Sequence, residues 1–420
     1  MSRGPATPPL AAYAAATALL EPLAPALLAA RARAGKEAAG RLNERLGRPV
    51  FPRPDGPLVW LHGVSVGESL SLLPLIAAIG KARPDLTMLV TSGTVTSAEL
   101  LAKRLPAGVI HQFAPVDAPG AAARFLDHWR PGAALFVESE LWPNLIGAAR
   151  ARGVRLGLLS ARMTQASAKG WGRAPGSARA LLQAFDLILP QDEATAARLA
   201  ALGARAGGRL NLKLVGEPPP ADPAELERLR EAIGGRAVIL AASTHEGEEA
   251  LIADAFRAAL DDPGAALLIL APRHPGRSAR LRETLGATSR AAGEPPAGRI
   301  HLADTLGELG VFYRLADAVV MGGSFQPGVG GHNPLEAARL GRAIVTGPHV
   351  ENARSIYDDM LAEAAAIEAA DGAALARHIR GLLANPTIAR RIGEAAQAYA
   401  ERQGAALTAA MALIEPLLPA

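Results

Sequence analysis

Short apolar runs alternate with longer alanine- and leucine-rich segments along most of this chain of 420 residues. Strands that are separated by helices in this way favour a parallel sheet covered on both faces. An earlier set of runs predicts strands over Leu58–Val64, Thr87–Ser92, Val109–Ala114, Ala133–Val137, Arg155–Leu159, Leu187–Pro190 and Arg209–Val215. A later set predicts strands over Val238–Ala242, Ala266–Ala271, Ala318–Met321 and Ala343–Thr346. We therefore expect an α/β fold with two doubly wound, Rossmann-like domains.

A proline-rich segment between the two sets marks a linker. It reads EPPPADP over residues 217–223, and proline stiffens connections of this kind. We expect a first domain over residues 51–216, a linker over 217–235 and a second domain over 236–420. The final helices, from about Pro386 to Leu418, could cross back to the first domain. In this architecture a ligand binds in the cleft between the domains, outside the carboxyl ends of the strands.

Residues 1–50 form a separate N-terminal segment, in which an apolar stretch precedes a basic one. Leu10 to Ala30 is largely apolar, but Glu21, Pro22 and Pro25 interrupt it. The flank that follows carries Arg31, Arg33, Lys36, Arg41, Arg45 and Arg48. An apolar helix with a basic flank is typical of a segment that lies on the cytoplasmic face of an anionic membrane. A buried helix of the first domain and a true membrane span are the alternatives.

Charge and composition narrow the classes of partner. Lys+Arg number 44 and Asp+Glu number 40, which gives a net charge of +4. This modest excess suits anionic small molecules or an anionic membrane surface. Aromatic residues make up only 4% of the chain, which leaves few stacking platforms for nucleic acid. The chain has no cysteine and its nine histidines are scattered, so we expect neither disulfides nor a metal site.

A glycine-rich segment, GGSFQPGVGGHNPLE over residues 322–336, joins a predicted strand to a predicted helix. Glycine lets a ligand approach the backbone closely, while Asn333 suits the N-cap and Pro334 suits the first helical position. The free amides at such a helix start favour phosphate. The alternative is a tight loop with a capped helix, in which Glu336 closes a capping box onto Asn333.

Polar clusters follow several predicted strands of the first domain. Glu68, after HGVSVG, could accept a proton from an attacking hydroxyl or close a capping box with Ser65. Glu138 and Glu140 stand together in the segment ESELWPN, and a pair of carboxylates is costly to bury without partners. Lys213, just before the linker, is either solvated or placed to neutralise a carboxylate or phosphate.

Similar clusters follow the predicted strands of the second domain. Ser243 and Glu246 fit a capping box after its first strand. Arg273, which stands between prolines in APRHPGR, is a good bidentate phosphate ligand. The pair Gly307-Glu308 lies upstream of the glycine-rich segment. Together these features predict a two-domain glycosyltransferase of the GT-B type, with an anionic nucleotide donor in the second domain and a base in the first.

Six motifs, in this order and spacing, resemble those of the bacterial 3-deoxy-D-manno-octulosonic acid (Kdo) transferases. They are HGVSVGES, ESELWPN, STHEGEE, APRHPGR, GEL and GGHNPLEA, and the resemblance covers essentially the whole chain. It implies an inverting, lipid A-specific glycosyltransferase that moves Kdo from CMP-Kdo to a lipid A precursor (lipid IVA) in lipopolysaccharide core biosynthesis. It also implies a location at the cytoplasmic face of the cell inner membrane, with no metal or other cofactor.

The resemblance further implies roles for individual residues. Glu68 matches the family's proton acceptor, and Glu138 and Lys213 match its transition-state stabilisers. CMP contacts are implied for Pro272, Arg273, Leu306, Gly307, Glu308, Asn333, Pro334, Leu335 and Glu336. The chain departs from the family's usual pattern at Leu210 and Val215, which bears on the acceptor more than on the donor.

Two other classes of function stay open at this point. One is another inverting GT-B transferase that uses a different nucleotide sugar on a lipid or glycan acceptor. The other is a membrane-associated binding protein without catalysis, which the intact Glu68, Glu138, Lys213 and Arg273 disfavour.

Overall fold

The computed structural model describes residues 7–420, and the chain divides into two compact units. The first contains the residues up to Val215 together with Gln403–Ala420, and the second contains Gly216–Arg402. The sequence-based boundaries placed everything from residue 236 onward in the second domain. The difference arises because one long helix passes from the second unit into the first, where its last turns pack on the core.

Six parallel strands form the sheet of the first unit. They are β1 (Leu58–His62), β2 (Thr87–Ser92), β3 (Ile110–Phe113), β4 (Ala133–Val137), β5 (Arg155–Ala161) and β6 (Leu187–Pro190). Their spatial order is β3-β2-β1-β4-β5-β6. In register, Leu58 lies beside Thr87 and Val59 lies beside Ala133. The strand order reverses between β1 and β4, and ligands bind at such points of open α/β sheets.

Helices cover both faces of this sheet. They are α1 (Pro8–Leu20), α2 (Ala24–Arg33), α3 (Leu42–Arg45), α4 (Val66–Ala82), α5 (Val95–Arg104), α6 (Pro119–Trp129), α7 (Pro143–Ala151), α8 (Gln165–Trp171), α9 (Pro175–Leu182) and α10 (Glu193–Ala201). One core cluster contains Trp60, Phe125 and Trp129. The other contains Leu61 and Leu75. The neighbours Trp60 and Leu61 enter different clusters because successive side chains of a strand point to opposite faces.

Seven parallel strands form the sheet of the second unit. They are β7 (Ala237–Thr244), β8 (Ala266–Pro272), β9 (Thr288–Ser289), β10 (Ile300–Leu302), β11 (Ala318–Met321), β12 (Ala343–Thr346) and β13 (Ile367–Glu368). Their order is β13-β12-β11-β7-β8-β10-β9, so the connections change direction between β7 and β11. Its core includes Ile239, Phe256, Leu268 and Val320.

The helices of the second unit lie between these strands and after them. They are α11 (Pro223–Ile233), α12 (Glu248–Ala259), α13 (Ser278–Leu285), α14 (Leu309–Leu315), α15 (Leu335–Ala338), α16 (Arg354–Ala362), α17 (Gly372–Ala384) and α18 (Pro386–Ile414). Short 3-10 helices of three residues stand at Glu21–Leu23, Ala39–Arg41, Leu212–Leu214, Pro275–Arg277, Glu351–Ala353 and Glu415–Leu417.

The α/β class predicted from the sequence is confirmed by the two parallel sheets. The predicted strand over Arg209–Val215 is wrong, because Leu212–Leu214 is a 3-10 helix that buries both of its leucines. Three strands, β9, β10 and β13, were not predicted, since segments of two or three residues are too short to show a period. Within the predicted linker, residues from Pro223 onward form α11.

The N-terminal helices reverse the usual arrangement of an amphipathic helix. Their polar side chains contact the first unit: Tyr13 donates to Asp117 at 3.0 Å, and Glu21 accepts from the Gly120 amide at 2.9 Å. Their large apolar side chains are exposed, by 80% for Leu19, 58% for Leu20, 62% for Leu23 and 62% for Leu27. The helix is therefore held by polar contacts and presents leucine outward.

Among the described residues, Pro8–Arg33 is the one helical segment whose length and apolar composition would allow it to cross a membrane. None of its most apolar stretch is buried inside the protein. The sequence-based alternative of an ordinary buried helix is therefore wrong.

The basic flank of this segment is partly neutralised within the first unit. Arg31 and Arg45 both pair with Glu37, at 3.0 and 3.3 Å. Arg41 pairs with Glu44 at 2.8 Å. Both glutamates are buried, so these three arginines neutralise buried carboxylates within the first unit. Besides Arg31, which is paired but exposed, the exposed basic residues of the flank are Arg33, Lys36 and Arg48.

Candidate active site

Polar side chains gather at the carboxyl edge of the first sheet, where the strand order reverses. Glu68 follows β1, Glu138 follows β4, and Lys213 follows β6. Gly63 lets the β1–α4 loop lie against the end of β4, since a Cβ there would stand 3.1 Å from Glu68 Cβ and 3.1 Å from Val137 Cγ2. The structure thus brings together the three residues that the sequence nominated for catalysis.

Glu68 is held by the backbone at the start of α4. Its Oε2 accepts from the amide of Val64 at 2.5 Å and from the amide of Ser65 at 3.3 Å. The predicted capping box with Ser65 is confirmed, because Ser65 Oγ in turn accepts from the Glu68 amide at 3.3 Å. Residues 63–67 also have the GxSxG spacing of a serine nucleophile, but here the serine caps the helix.

The pKa of Glu68 is raised above its ordinary value. Burial is the main cause, the nearby carboxylates Glu140 and Glu138 add to it, and the amides of Val64 and Ser65 act against it. A raised pKa brings a carboxylate closer to the range in which a general base works best. The capping role and a proton-accepting role are compatible, because Glu68 is only half-buried.

Glu138 lies in a strained backbone conformation at the end of β4, with φ 59°. Non-glycine residues rarely adopt this left-handed region, and such strain clusters at functional sites. Its buried carboxylate is paired, since Glu138 Oε1 lies 2.6 Å from Lys213 Nζ. Ser160, also left-handed with φ 50°, accepts through Oγ from the Leu212 amide at 3.3 Å. Ser160 therefore fixes the 3-10 turn that carries Lys213, a role that the sequence did not reveal.

Glu140 and His62 complete this edge, and no role was predicted for His62 from the sequence. The histidine is buried at the last position of β1, with Nδ1 2.8 Å from Thr91 Oγ1. Its Nε2 lies 3.6 Å from Glu140 Oε2, which also accepts from the indole of Trp142. The site therefore contains three carboxylates with a lysine and an imidazole beside them.

In the second unit, the loop after β7 and the glycine-rich segment meet at a buried carboxylate. Glu248 Oε1 accepts from the amides of His245 at 2.7 Å and Gly323 at 2.6 Å, and Oε2 accepts from Phe325 at 3.3 Å. The predicted capping box of Ser243 with Glu246 is wrong, because the N-cap of α12 is Gly247, four residues after Ser243, and the helix begins at Glu248. Ser243 is instead a left-handed bulge in β7, with φ 59°.

The glycines of residues 322–331 mostly serve close packing within the protein. A Cβ at Gly322 would stand 2.6 Å from the Ser243 carbonyl oxygen, and one at Gly330 would stand 2.6 Å from Asn352 Nδ2. Only Gly328, with φ 90°, has open space around it. We predicted that these glycines clear room for a ligand, but most of them instead allow a tight turn to pack against neighbouring residues.

The helix after this turn is shorter than the sequence suggested. It covers Leu335–Ala338, and Pro334 rather than Asn333 takes the N-cap position. Asn333 Oδ1 accepts from the Leu335 amide at 3.0 Å. A helix of one turn adds little dipole, so an anion here would depend on side chains and individual amides.

Arg273 and a group of histidines stand at the carboxyl edge of the second sheet. The side chain of Arg273 is exposed, with no hydrogen bond or ion pair in residues 7–420, and its amide donates to the Thr244 carbonyl at 2.9 Å. His245 Nε2 and His332 Nε2 lie 2.8 Å apart, with stacked rings. Burial, then His245 and Arg273, lower the pKa of His332 to about 4. The pair is thus neutral near pH 7, and the free charge belongs to Arg273.

Glu308 is partly exposed, and Arg290 and Thr305 hold its carboxylate. Arg290 donates to it twice, at 3.1 and 2.5 Å, and Thr305 also donates to it. The Arg290 bond is the main cause that lowers the pKa of Glu308. Arg290 also pairs with Glu225 at 2.6 Å. Beside this network Gly307 is left-handed, with φ 89°, and Leu306 is 82% exposed.

Comparisons with known proteins agree with this arrangement. A family model described as 3-deoxy-D-manno-octulosonic-acid transferase (kdotransferase) matches residues 40–214. A probable 3-deoxy-D-manno-octulosonic acid transferase, mitochondrial, of Arabidopsis thaliana is 38% identical over 75% of this chain and 74% of its own. The 3-deoxy-D-manno-octulosonic acid transferase of Rickettsia bellii is 33% identical over 87% of this chain and 88% of its own.

Among solved structures, a glycosyltransferase from Rickettsia africae superposes with a TM-score of 0.59. It is 12% identical and covers 87% of this chain and 99% of its own. At that identity the likeness concerns the fold, and it agrees with the two-sheet GT-B architecture expected from the sequence.

Proposed function

Because the chain belongs to the 3-deoxy-D-manno-octulosonic-acid (Kdo) transferase family, we propose that it transfers Kdo from CMP-Kdo to a lipid A precursor in lipopolysaccharide biosynthesis. The observation that carries the proposal is the joint placement of Glu68, Glu138 and Lys213 at one switch point of the first sheet. The two relatives named above are described as Kdo transferases, and this chain covers 74% and 88% of their lengths.

In the proposed reaction, Glu68 is the general base. An acceptor hydroxyl oxygen attacks the anomeric carbon of Kdo, its proton passes to Glu68, and the bond from that carbon to the CMP phosphate oxygen breaks. Attack opposite the departing CMP inverts the anomeric centre. The raised pKa of Glu68 supports this role, because a stronger base accepts the proton more readily.

The pair of Glu138 and Lys213 is the proposed stabiliser of the transition state. Glu138 is strained and buried, and Lys213 stands 2.6 Å from it, so the two charges are held in place before the substrate arrives. Fixed charges of this kind stabilise developing charge without reorganisation. We propose that the Glu138 carboxylate stabilises the positive charge of an oxocarbenium-like centre. Lys213 would then neutralise the carboxylate of Kdo.

The second unit is the proposed donor site. Arg273 is exposed, and it lies close enough to Glu336 to counteract the burial that raises the pKa of that carboxyl. A guanidinium matches phosphate bidentately. Asn333, Glu336 and the loop at 306–308 are the further CMP contacts that the family resemblance implies. With Arg273 supplying the positive charge for the departing phosphate, the proposal assigns no metal cofactor.

The N-terminal helices are the proposed contact with the membrane. Their polar side contacts the protein, while Leu19, Leu20, Leu23 and Leu27 face outward. Exposed leucines beside Arg33, Lys36 and Arg48 fit the acyl region and the anionic headgroups of a cytoplasmic membrane face. Replacing the four leucines with serine should reduce flotation with phosphatidylglycerol vesicles. Transfer to a detergent-dispersed acceptor should remain.

The direct test is incubation of the full chain with CMP-Kdo and a tetra-acylated lipid A precursor, followed by mass spectrometry of the lipid. The proposal expects a mass increase of one or more Kdo units with release of CMP. A matched reaction with a UDP-sugar is the control for donor identity. Transfer from the UDP-sugar with none from CMP-Kdo would overturn the proposal in favour of another inverting transferase.

A further inference from the structure

A cavity of about 590 Å³ lies at the amino-terminal edge of the second sheet. It is bounded by the first residues of β7, by Asp317 just before β11 and by Arg342 just before β12. The ends of α11, α14 and α17 and the start of α18 close it. Arg273 and the glycine-rich segment lie at the opposite edge of this sheet, so the cavity is separate from the candidate active site.

Positive charge dominates the lining of this cavity. It contains the arginines Arg230, Arg236, Arg314, Arg342 and Arg390, with Asp317 as the single carboxylate. Arg230 is neutralised outside the lining by Glu227, at 2.5 Å. The other four guanidinium groups share one carboxylate, whose Oδ2 also accepts from the Val238 amide at 2.8 Å.

A purely structural role explains part of this arrangement. Arg236 donates to the Ile233 carbonyl at 2.9 Å, and Arg314 donates to the Gly310 carbonyl at 2.8 Å. The Ile233 carbonyl lies at the end of α11, where carbonyls lack a partner within the helix. A neutral carbonyl orients a guanidinium without cancelling its charge, so the positive potential of the cavity remains.

The structural role does not account for Arg342 and Arg390. Arg342 donates through Nη1 to the Ala316 carbonyl at 2.8 Å, but its buried Nε has no partner in residues 7–420. Burial and the neighbouring Arg314 lower the pKa of Arg342, while Asp317 acts against this. Arg390 is exposed on α18 and forms no ion pair among the described residues. Buried donors are normally satisfied, so an unmet donor beside excess positive charge points to an anion.

We propose that this cavity binds a phosphorylated small molecule that carries at least two negative charges. Guanidinium groups bind phosphate bidentately, and the volume is in the range of nucleotide-sized ligands, about 300–1,000 Å³. The apolar side chains of Ile233, Leu382 and Leu383, which also line it, suit a less polar part of the same molecule. The phosphate could belong to a soluble metabolite or to the headgroup of an anionic lipid.

The test uses inorganic pyrophosphate as the probe and the full chain saturated with CMP, so that the proposed donor site is filled. Titration calorimetry should detect binding that Arg390→Gln weakens by about tenfold, the loss of one charged hydrogen bond. Arg391→Gln is the matched control, because Arg391 is the exposed neighbour on the same helix but does not line the cavity. Arg342→Gln should also weaken binding, with thermal melting to confirm that it is folded.

Two outcomes would overturn the proposal. One is no pyrophosphate binding by the unmodified chain, and the other is an equal loss in Arg390→Gln and Arg391→Gln, which would mean unspecific attraction. Flotation with phosphatidylglycerol vesicles distinguishes the sources. A loss of flotation in Arg390→Gln alone, with competition by pyrophosphate, supports a lipid headgroup. Flotation that is equal in both variants, with calorimetry as expected, supports a soluble phosphate compound.

Discussion

The first helix after the first strand carries a glutamate near its start in both units, and the two glutamates have different surroundings. Glu68 accepts from two amides of its own loop, and it is half-buried next to Glu138 and Glu140. Glu248 accepts from three amides that belong to two separate loops, and it is fully buried. A glutamate in the first turn of the helix is thus partly exposed in one unit, where we propose that it acts as the base, and fully buried as a structural acceptor in the other.

The edges around these two glutamates also carry opposite chemistry. The first edge collects carboxylates with Lys213 and His62 among them. The second collects Arg273 and a neutral histidine pair. Both edges hold a left-handed residue with φ 59°, Glu138 in the first unit and Ser243 in the second. Each edge therefore combines a strained backbone position with its own set of charged groups.

The largest effect is expected for turnover when Glu68, the proposed general base, is replaced. Glu68→Gln should lower turnover by about 10²–10⁴-fold, because glutamine cannot accept the proton, while glutamine still fits a capping box. CMP affinity should be unchanged, since the donor contacts are proposed in the other unit. Turnover with CMP-Kdo and calorimetry with CMP measure the two quantities. Near-normal turnover would remove the general-base role, and Glu99→Gln, an exposed glutamate on α5, is the control.

Replacing the buried Glu248 should lower the free energy of unfolding. Glu248→Ala leaves the amides of His245, Gly323 and Phe325 without their acceptor. We expect a loss of about 3 kcal/mol in the free energy of unfolding, measured by urea denaturation. Glu246→Ala is the control, because that side chain is 72% exposed two residues away. Equal midpoints for both variants would contradict the structural role.

On the donor side, Arg273→Ala should weaken CMP binding by about 10–100-fold, which corresponds to the loss of a charge-assisted hydrogen bond to phosphate. Arg280→Ala is the control. Arg280 is 84% exposed on α13, and its guanidinium lies 3.6 Å from the carboxylate of Glu246. Calorimetry with CMP reports both affinities. If the two variants bind CMP equally well, Arg273 is not a phosphate ligand.

The smallest effect is a shift in pH dependence. Glu68 must be ionised to accept a proton, so activity should fall as pH drops through its raised pKa. Glu140→Gln removes one of the like charges that raise this pKa, so the acid limb of kcat/KM should move to lower pH. The pH profile of the variant and of the unmodified enzyme gives the shift. A limb that moves to higher pH would show that Glu140 acts on another group.

Sequence periodicity was sufficient for most of the fold, because strands such as Thr87–Ser92, Ala133–Val137 and Ala318–Met321 are buried on both faces and appear as continuous apolar runs. It failed at Arg209–Val215, where alternate leucines are buried by a 3-10 turn. It also failed for the two-residue strands at the sheet edges. The expectation that the final helices cross back to the first domain is confirmed, but the point of crossing was not predicted, because no local signal marks where α18 passes between cores.

The chemistry available at each strand end could be predicted without the structure, since residue type and position after a strand are local facts. The motifs around Glu68, Glu138, Lys213 and Arg273, in their order along the chain, identified the family. The partners of these groups became visible in the fold: Ser160 contacts the turn that carries Lys213, Glu248 accepts from the glycine-rich segment, and Arg290 donates to Glu308. Burial, pairing and pKa depend on distances between residues far apart in the chain, and a single sequence does not contain those distances.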